Sequence, residues 1–94
     1  MKISVLLPFK ENFSPSYAGA VSLFVNDTTK ISKYKNKTYI YGNTSYKETF
    51  GLNYINILPK TNFFQSQNKE YVNEFIKKEE KLQSDLIELH NRPI

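Results

Sequence analysis

The chain has 94 residues, the size of one small domain or part of one. Leu, Ile, Val and Phe supply 27 of them, which excludes a globally disordered chain but allows only a thin core. The formal charge is +4, and with no Cys and a single His the chain has neither disulfides, nor thiolate zinc sites, nor paired-His metal motifs; no metal or cofactor is expected.

Residues 3–7, Ile-Ser-Val-Leu-Leu, form a nearly continuous apolar run that stops at Pro8, the pattern of a strand buried on both faces of a parallel sheet. A loop follows, with Ser14-Pro15 as a helix-start pattern. From Tyr17 the period changes: Tyr17, Val21, Phe24, Val25, Thr28 and Ile31 fall on one stripe of a helix, with Gly19 near its beginning. The polar residues 33–37 read as a turn. Thr38 to Tyr41 reads as a second strand, ended by Gly42-Asn43. Residues 44–53 read as a loop with a turn at Phe50-Gly51, and Tyr54 to Leu58 as a third strand closed by Pro59. Residues 68–82 read as a helix, with Tyr71, Val72, Phe75, Ile76 and Leu82 inward, Ser66 or Asn68 as cap and Glu70 in the first turn. Leu86 to Leu89 reads as a fourth strand running into His90-Asn91-Arg92-Pro93.

The order β-α-β-β-α-β predicts a single α/β domain over residues 1–94, an open, mostly parallel, Rossmann-like sheet of about four strands. A ferredoxin-like split βαβ arrangement uses the same elements, but its antiparallel sheet wants a polar face that the first strand lacks. In an open parallel sheet, ligands bind beyond the carboxyl ends of the strands, where the strand order reverses. With order 3-2-1-4 that point falls between the first and fourth strands. The loop ending in Ala18-Gly19-Ala20 follows one of them, and His90, Asn91 and Arg92 follow the other. A glycine at a helix start lets bare N–H groups meet a phosphate. Gly19 on its own also fits plain close packing, and His90 also fits a strand-end histidine bonded to backbone. Asp27 belongs on the solvated side of its helix, residues 77–81 form a charged helix face, and the tyrosines are expected to pack.

The basic charge is carried by 12 Lys and only Arg92, whereas phosphate and base recognition favours the forked Arg. Lys33, Lys35 and Lys37 alternate with Tyr34 and Asn36, which imitates a basic-aromatic nucleic-acid patch but equally describes a solvated turn. A small basic nucleic-acid-binding domain is therefore an alternative, and nucleic acid is not the expected partner. The longest apolar stretch, residues 3–9, is far below a membrane span. Lys10, Glu11 and Asn12 break it before Ala18-Gly19-Ala20, so it reads as a strand and not a leader, and a cytoplasmic location is expected. The N-x-S/T matches at Asn12, Asn26, Asn36 and Asn43 then carry no glycosylation meaning.

Pro8-Phe9-Lys10-Glu11, Tyr17-Ala-Gly-Ala-Val21 and above all Asp85-Leu-Ile-Glu-Leu-His-Asn-Arg-Pro93 resemble the beginning of the GT-B glycosyltransferases with a "family 4-like" N-terminal domain. The resemblance covers most of the chain but only about the first half of such a domain. It implies an enzyme that transfers a sugar from a nucleotide-sugar donor to an acceptor hydroxyl of a glycan or lipid-linked acceptor in the synthesis of surface glycans such as lipopolysaccharide. By the same resemblance, Gly19 approaches the donor phosphate, with Ala18 standing in place of the family's first glycine. His90 would lie near the reacting sugar as the catalytic-site histidine, positioning it rather than attacking it. Asn91, Arg92 and Glu11 would face the acceptor or the interdomain cleft. The family's second domain, which holds the donor, has no counterpart here, so the chain alone is expected to be inactive and to need the remainder of the enzyme in trans. A peripheral station at the inner membrane face fits the positive charge. The other alternative is an interaction protein that pairs through the edge of its fourth strand.

Overall fold

The structure is a computed structural model that describes residues 1–59 and 64–90. Four strands, β1 (Ile3–Leu6), β2 (Thr38–Gly42), β3 (Tyr54–Asn56) and β4 (Leu86–Leu89), make one sheet in the order β3-β2-β1-β4. Every pairing is parallel, with Val5 opposite Ile40 on one side and Glu88 on the other. Helix α1 (Ala20–Lys30) connects β1 to β2, and α2 (Phe64–Leu82) connects β3 to β4. The expected α/β parallel sheet is present, in the 3-2-1-4 order. The inner strands β1 and β2 need their near-continuous apolar sequence because both their faces are covered, whereas β4 is exposed along its length.

Two separate cores result from the alternation along each strand. Val5, Leu7 and Ile40 point to one face, where they meet Val25 of α1 and Phe13 of the loop before it. Leu6, Tyr41 and Ile57 point to the other, against Tyr71 and Phe75 of α2. The β2–β3 connection has no helix. Phe50 and Leu52 from that loop pack onto the α1-side core instead, Phe50 edge-on to Phe13 at 4.9 Å. Leu52 N–H donates to the Phe50 carbonyl across Gly51, the turn expected there.

Both helices depart from their sequence reading. Helix α1 begins at Ala20 with Gly19 as N-cap, so Tyr17 lies outside it and is exposed. Its buried residues are Ser22, Val25 and Thr29, whereas Phe24 and Ile31 are exposed. Of the apolar stripe from Tyr17 to Ile31, Val25 and Val21 pack against the core while Tyr17, Phe24 and Ile31 do not, so the packing face is rotated from the one expected. The short Ser22 and Thr29 side chains face the sheet and permit a close approach, which periodicity of large apolar residues does not detect. Helix α2 begins at Phe64, four residues before the expected start, so Ser66 and Asn68 lie inside it and Glu70 is beyond its first turn. Of its predicted inward residues, Tyr71 and Phe75 are buried while Val72 and Ile76 are exposed. The latter two face the side of β4, whose Leu86, Ile87 and Leu89 are also exposed. Among the described residues, no helix is long and apolar enough to cross a membrane.

Candidate functional site

The loop after β1 is shaped by a turn in which Glu11 N–H donates to the Pro8 carbonyl at 3.1 Å. Its third residue, Lys10, has φ 67°, a left-handed conformation that costs a non-glycine residue energy. The turn sends Glu11 inward, where it is 6% exposed. There its Oε2 accepts the Ser22 N–H at 3.1 Å, one of the amide groups that an α-helix leaves unpaired at its start. Helix α1 has no acidic residue in its own first turn. Glu11 supplies the negative charge from a distant point in the chain and complements the helix dipole.

Gly19 is needed for this arrangement. A Cβ built on it would run into the Glu11 carboxylate. The backbone at Gly19, φ −75° and ψ 172°, is ordinary extended geometry, so the demand for glycine is steric and not conformational. Ala18, beside it, is half-buried. Ser22 Oγ, buried in the same first turn, is a polar side-chain atom with no hydrogen-bond partner among the described residues.

His90 stands across β1 from this loop, at the carboxyl end of β4. Its backbone N–H donates to the Leu6 carbonyl at 3.0 Å, which fixes the residue to the end of β1. The ring nitrogen Nε2 lies 2.9 Å from Glu88 Oε1, a geometry that keeps the proton on Nε2 because the carboxylate can only accept. Phe24 of α1 meets the imidazole edge-on, with centroids 6.4 Å apart. Glu11 in the loop after β1, Gly19 at the N-cap of α1 and His90 just after β4 thus come from the same end of the sheet. Asn91 and Arg92 lie outside the described residues. Asp27 is solvent-exposed and pairs with Lys30 at 3.6 Å, as expected of a residue on the polar side of the helix.

Behind β1 and β4, on the α2 side, an apolar groove of about 340 Å³ is lined by Leu6, Phe9, Tyr71, Ile76, Ile87 and Leu89, with His90 also at its wall. Tyr71 donates to the Leu7 carbonyl at 2.6 Å, and burial pushes its hydroxyl pKa up.

Sequence reasoning missed two features. Tyr17 and Tyr46 stack on each other, centroids 5.1 Å apart and planes 21° apart, on the outer surface of the loops that follow β1 and β2. Placing the N-cap at Gly19 would have left Tyr17 outside the helix. Glu79, read as part of a solvated charged face, accepts from Ser4 Oγ at 2.6 Å and from Ser84 N–H at 2.7 Å. No local pattern marks it, since its partner Ser4 is 75 residues away.

No family model, curated protein or solved structure matches the chain.

Proposed function

We propose that this chain is the front portion of a glycosyltransferase N-terminal domain of the GT-B kind, whose parent transfers a sugar from a nucleotide-sugar donor to an acceptor hydroxyl. One observation carries the reading. The strand order reverses between β1 and β4, and the residues singled out for chemistry, Gly19 and His90, follow those two strands. In this reading the start of α1 helps hold the diphosphate, and charge on the leaving group is stabilised there by backbone donors together with basic groups of the donor domain. His90, with its proton held on Nε2 by Glu88, orients the sugar as a hydrogen-bonding group. It is not the nucleophile. Surface-glycan synthesis, a cytoplasmic site of action and contact with an anionic membrane face belong to the same proposal.

Glu11 sharpens the test. Its carboxylate already sits at the start of α1, so a diphosphate arriving there meets a like charge. Titration of the isotopically labelled full chain with inorganic pyrophosphate, followed by amide shifts, should perturb residues 18–22 and His90. Glu11→Gln should tighten that binding several-fold. Absence of any response at the start of α1, in both forms of the chain, sinks the reading.

The outer edge of β4, unpaired among the described residues, favours a second reading, a module that docks through its sheet edge. Leu86, Ile87 and Leu89 are exposed on both sides of the strand, and Val72 and Ile76 of α2 are exposed as well. The glycosyltransferase reading uses the same surface for the continuation of the sheet by the remainder of the enzyme. Sedimentation separates them. Docking alone requires association without any pyrophosphate response.

A further inference from the structure

We infer that Tyr17 and Tyr46 form a stacking platform for a pyranose ring, which rests on the glycosyltransferase reading and gives its acceptor a place to sit. The two rings come from different loops and lie nearly parallel, 5.1 Å between centroids. Tyr17 is 68% exposed and Tyr46 39%, so an aromatic face remains open to solvent although each ring already covers part of the other.

The two loops that carry the rings are tied to each other. Ser45 N–H, next to Tyr46, donates to Asn12 Oδ1 at 2.9 Å, and Phe13 N–H donates to Thr44 Oγ1 at 3.0 Å. These bonds tie the β2–β3 loop to the β1–α1 loop. Thr44 is anchored in turn by its N–H to Asn56 Oδ1 at 2.7 Å and by its hydroxyl to Tyr54. A ligand therefore meets two rings on loops whose relative placement the fold has already set.

The chemistry of the patch selects a sugar. A pyranose has one or two faces of C–H groups and a rim of hydroxyls. The two tyrosines offer the matching aromatic surface, and their sequence neighbours Ser16, Ser45, Lys47 and Glu48 are exposed polar residues with hydrogen-bonding groups. A protein anchor site would instead need a broad apolar surround that excludes water, and these flanking residues are polar. Tyr17 lies two residues before Gly19, so the ring would be held beside the start of α1, where the proposed donor phosphate binds.

The test uses the labelled full chain with methyl α- and β-glycosides of glucose, galactose and mannose, read by amide shifts and by saturation transfer to the sugar. The expected result is amide shifts confined to residues 12–18 and 44–48, with transfer strongest to the C–H protons of one pyranose face. Tyr17→Ala should weaken binding about three- to tenfold, and Tyr17→Phe should restore most of it, since the ring face and not the hydroxyl makes the contact. Tyr17 is exposed, so the Ala variant keeps its amide dispersion. Glycosides that leave both loops unmoved overturn the platform, as does an unchanged affinity in Tyr17→Ala. Uridine shifting these amides in place of glycosides overturns it too and makes the pair a base platform. The pyrophosphate response at residues 18–22 is read from the same sample. Its presence without a glycoside response removes the platform and leaves the glycosyltransferase reading standing. The reverse result keeps a sugar-binding surface and removes that reading.

Discussion

The Glu11 carboxylate fills the space into which a side chain at Gly19 would grow, and from there it accepts the Ser22 N–H at the start of α1. Both residues therefore serve one contact. Gly19→Ala must push out a buried carboxylate, which is the flexible end of a side chain but is held by a hydrogen bond. Glu11→Ala removes the same bond outright and leaves the Ser22 N–H unpaired. Each substitution should cost about 1–3 kcal/mol. The double variant should cost about as much as either one, because the contact can be lost only once. Urea unfolding of the four proteins measures this, and additive losses would show that Gly19 and Glu11 act separately.

Lys10 holds a left-handed backbone at φ 67° so that the turn can send Glu11 inward. Glycine adopts that conformation without the clash of a Cβ. Lys10→Gly is thus expected to stabilise the chain by up to about 1 kcal/mol, despite the usual entropic penalty of glycine. The side chain's stacking on Phe9, with Nζ 5.7 Å from the ring centroid, is exposed and offsets little of this. A lower melting temperature in Lys10→Gly would mean that the turn is not strained.

Burial raises the hydroxyl pKa of Tyr71 above its ordinary value near 10, with a smaller contribution from the proximity of Tyr54. The raised value means that the native state resists ionisation more than the unfolded chain. The associated stability is fully present below about pH 10 and is lost as pH rises beyond it, by at most about 1.4 kcal/mol per pH unit for this one group. Tyr71→Phe should cost about 0.5–1.5 kcal/mol at pH 7–9 through the lost bond to the Leu7 carbonyl. Above pH 10 the gap should close, because the variant has no hydroxyl to ionise. Burial raises Tyr54 and Tyr41 in the same direction, so the variant keeps part of the alkaline loss. Unfolding curves from pH 7 to pH 11 check it, and a gap that stays constant across the range contradicts it.

The strands were legible because each is a short, nearly contiguous apolar run, although only β1 and β2 are buried on both faces while β4 is exposed. Leu86 to Leu89 matches its expected bounds, and β1 and β2 each differ from theirs by a single residue. The apolar first strand belongs inside a parallel sheet, where β1 lies, but that pattern alone does not fix the places of the other strands. The helices were less legible. Which face of α1 packs depends on the distance at which the helix crosses the sheet, and Ser22 and Thr29 lie there because they are short. For the site, Gly19 and His90 could be placed by topology. What the sequence could not disclose was that Glu11 reaches the start of α1, because the Lys10 turn that aims it has no glycine to announce a left-handed residue. Contacts such as Tyr17 with Tyr46 join loops 29 residues apart and leave no local trace.

Glu79 joins α2 to the opposite end of the sheet from the site. Its two carboxylate oxygens accept from Ser4 Oγ, Ser84 N–H and Ser84 Oγ, and Ser4 is wholly buried in β1. Around them, Lys2 Nζ donates to the Leu82 carbonyl at 2.9 Å and Lys2 N–H to Asp85 at 2.8 Å, so the start of the chain also closes on the α2–β4 turn. Loss of Glu79 and loss of Ser4 have unequal consequences. In Ser4→Ala the carboxylate keeps both bonds to Ser84, and the cost should stay near 1 kcal/mol or below. In Glu79→Ala the Ser84 N–H and the buried Ser4 hydroxyl lose their acceptor together. The two hydroxyls can still bond to each other, as their 2.5 Å separation allows, but the amide cannot be served that way. Glu79→Ala should therefore cost about 2–3 kcal/mol, and Glu79→Gln, which keeps one acceptor oxygen, should fall between. Denaturant unfolding of the three variants gives the ranking, and a Ser4→Ala loss equal to that of Glu79→Ala would mean that the carboxylate is not the centre of this network.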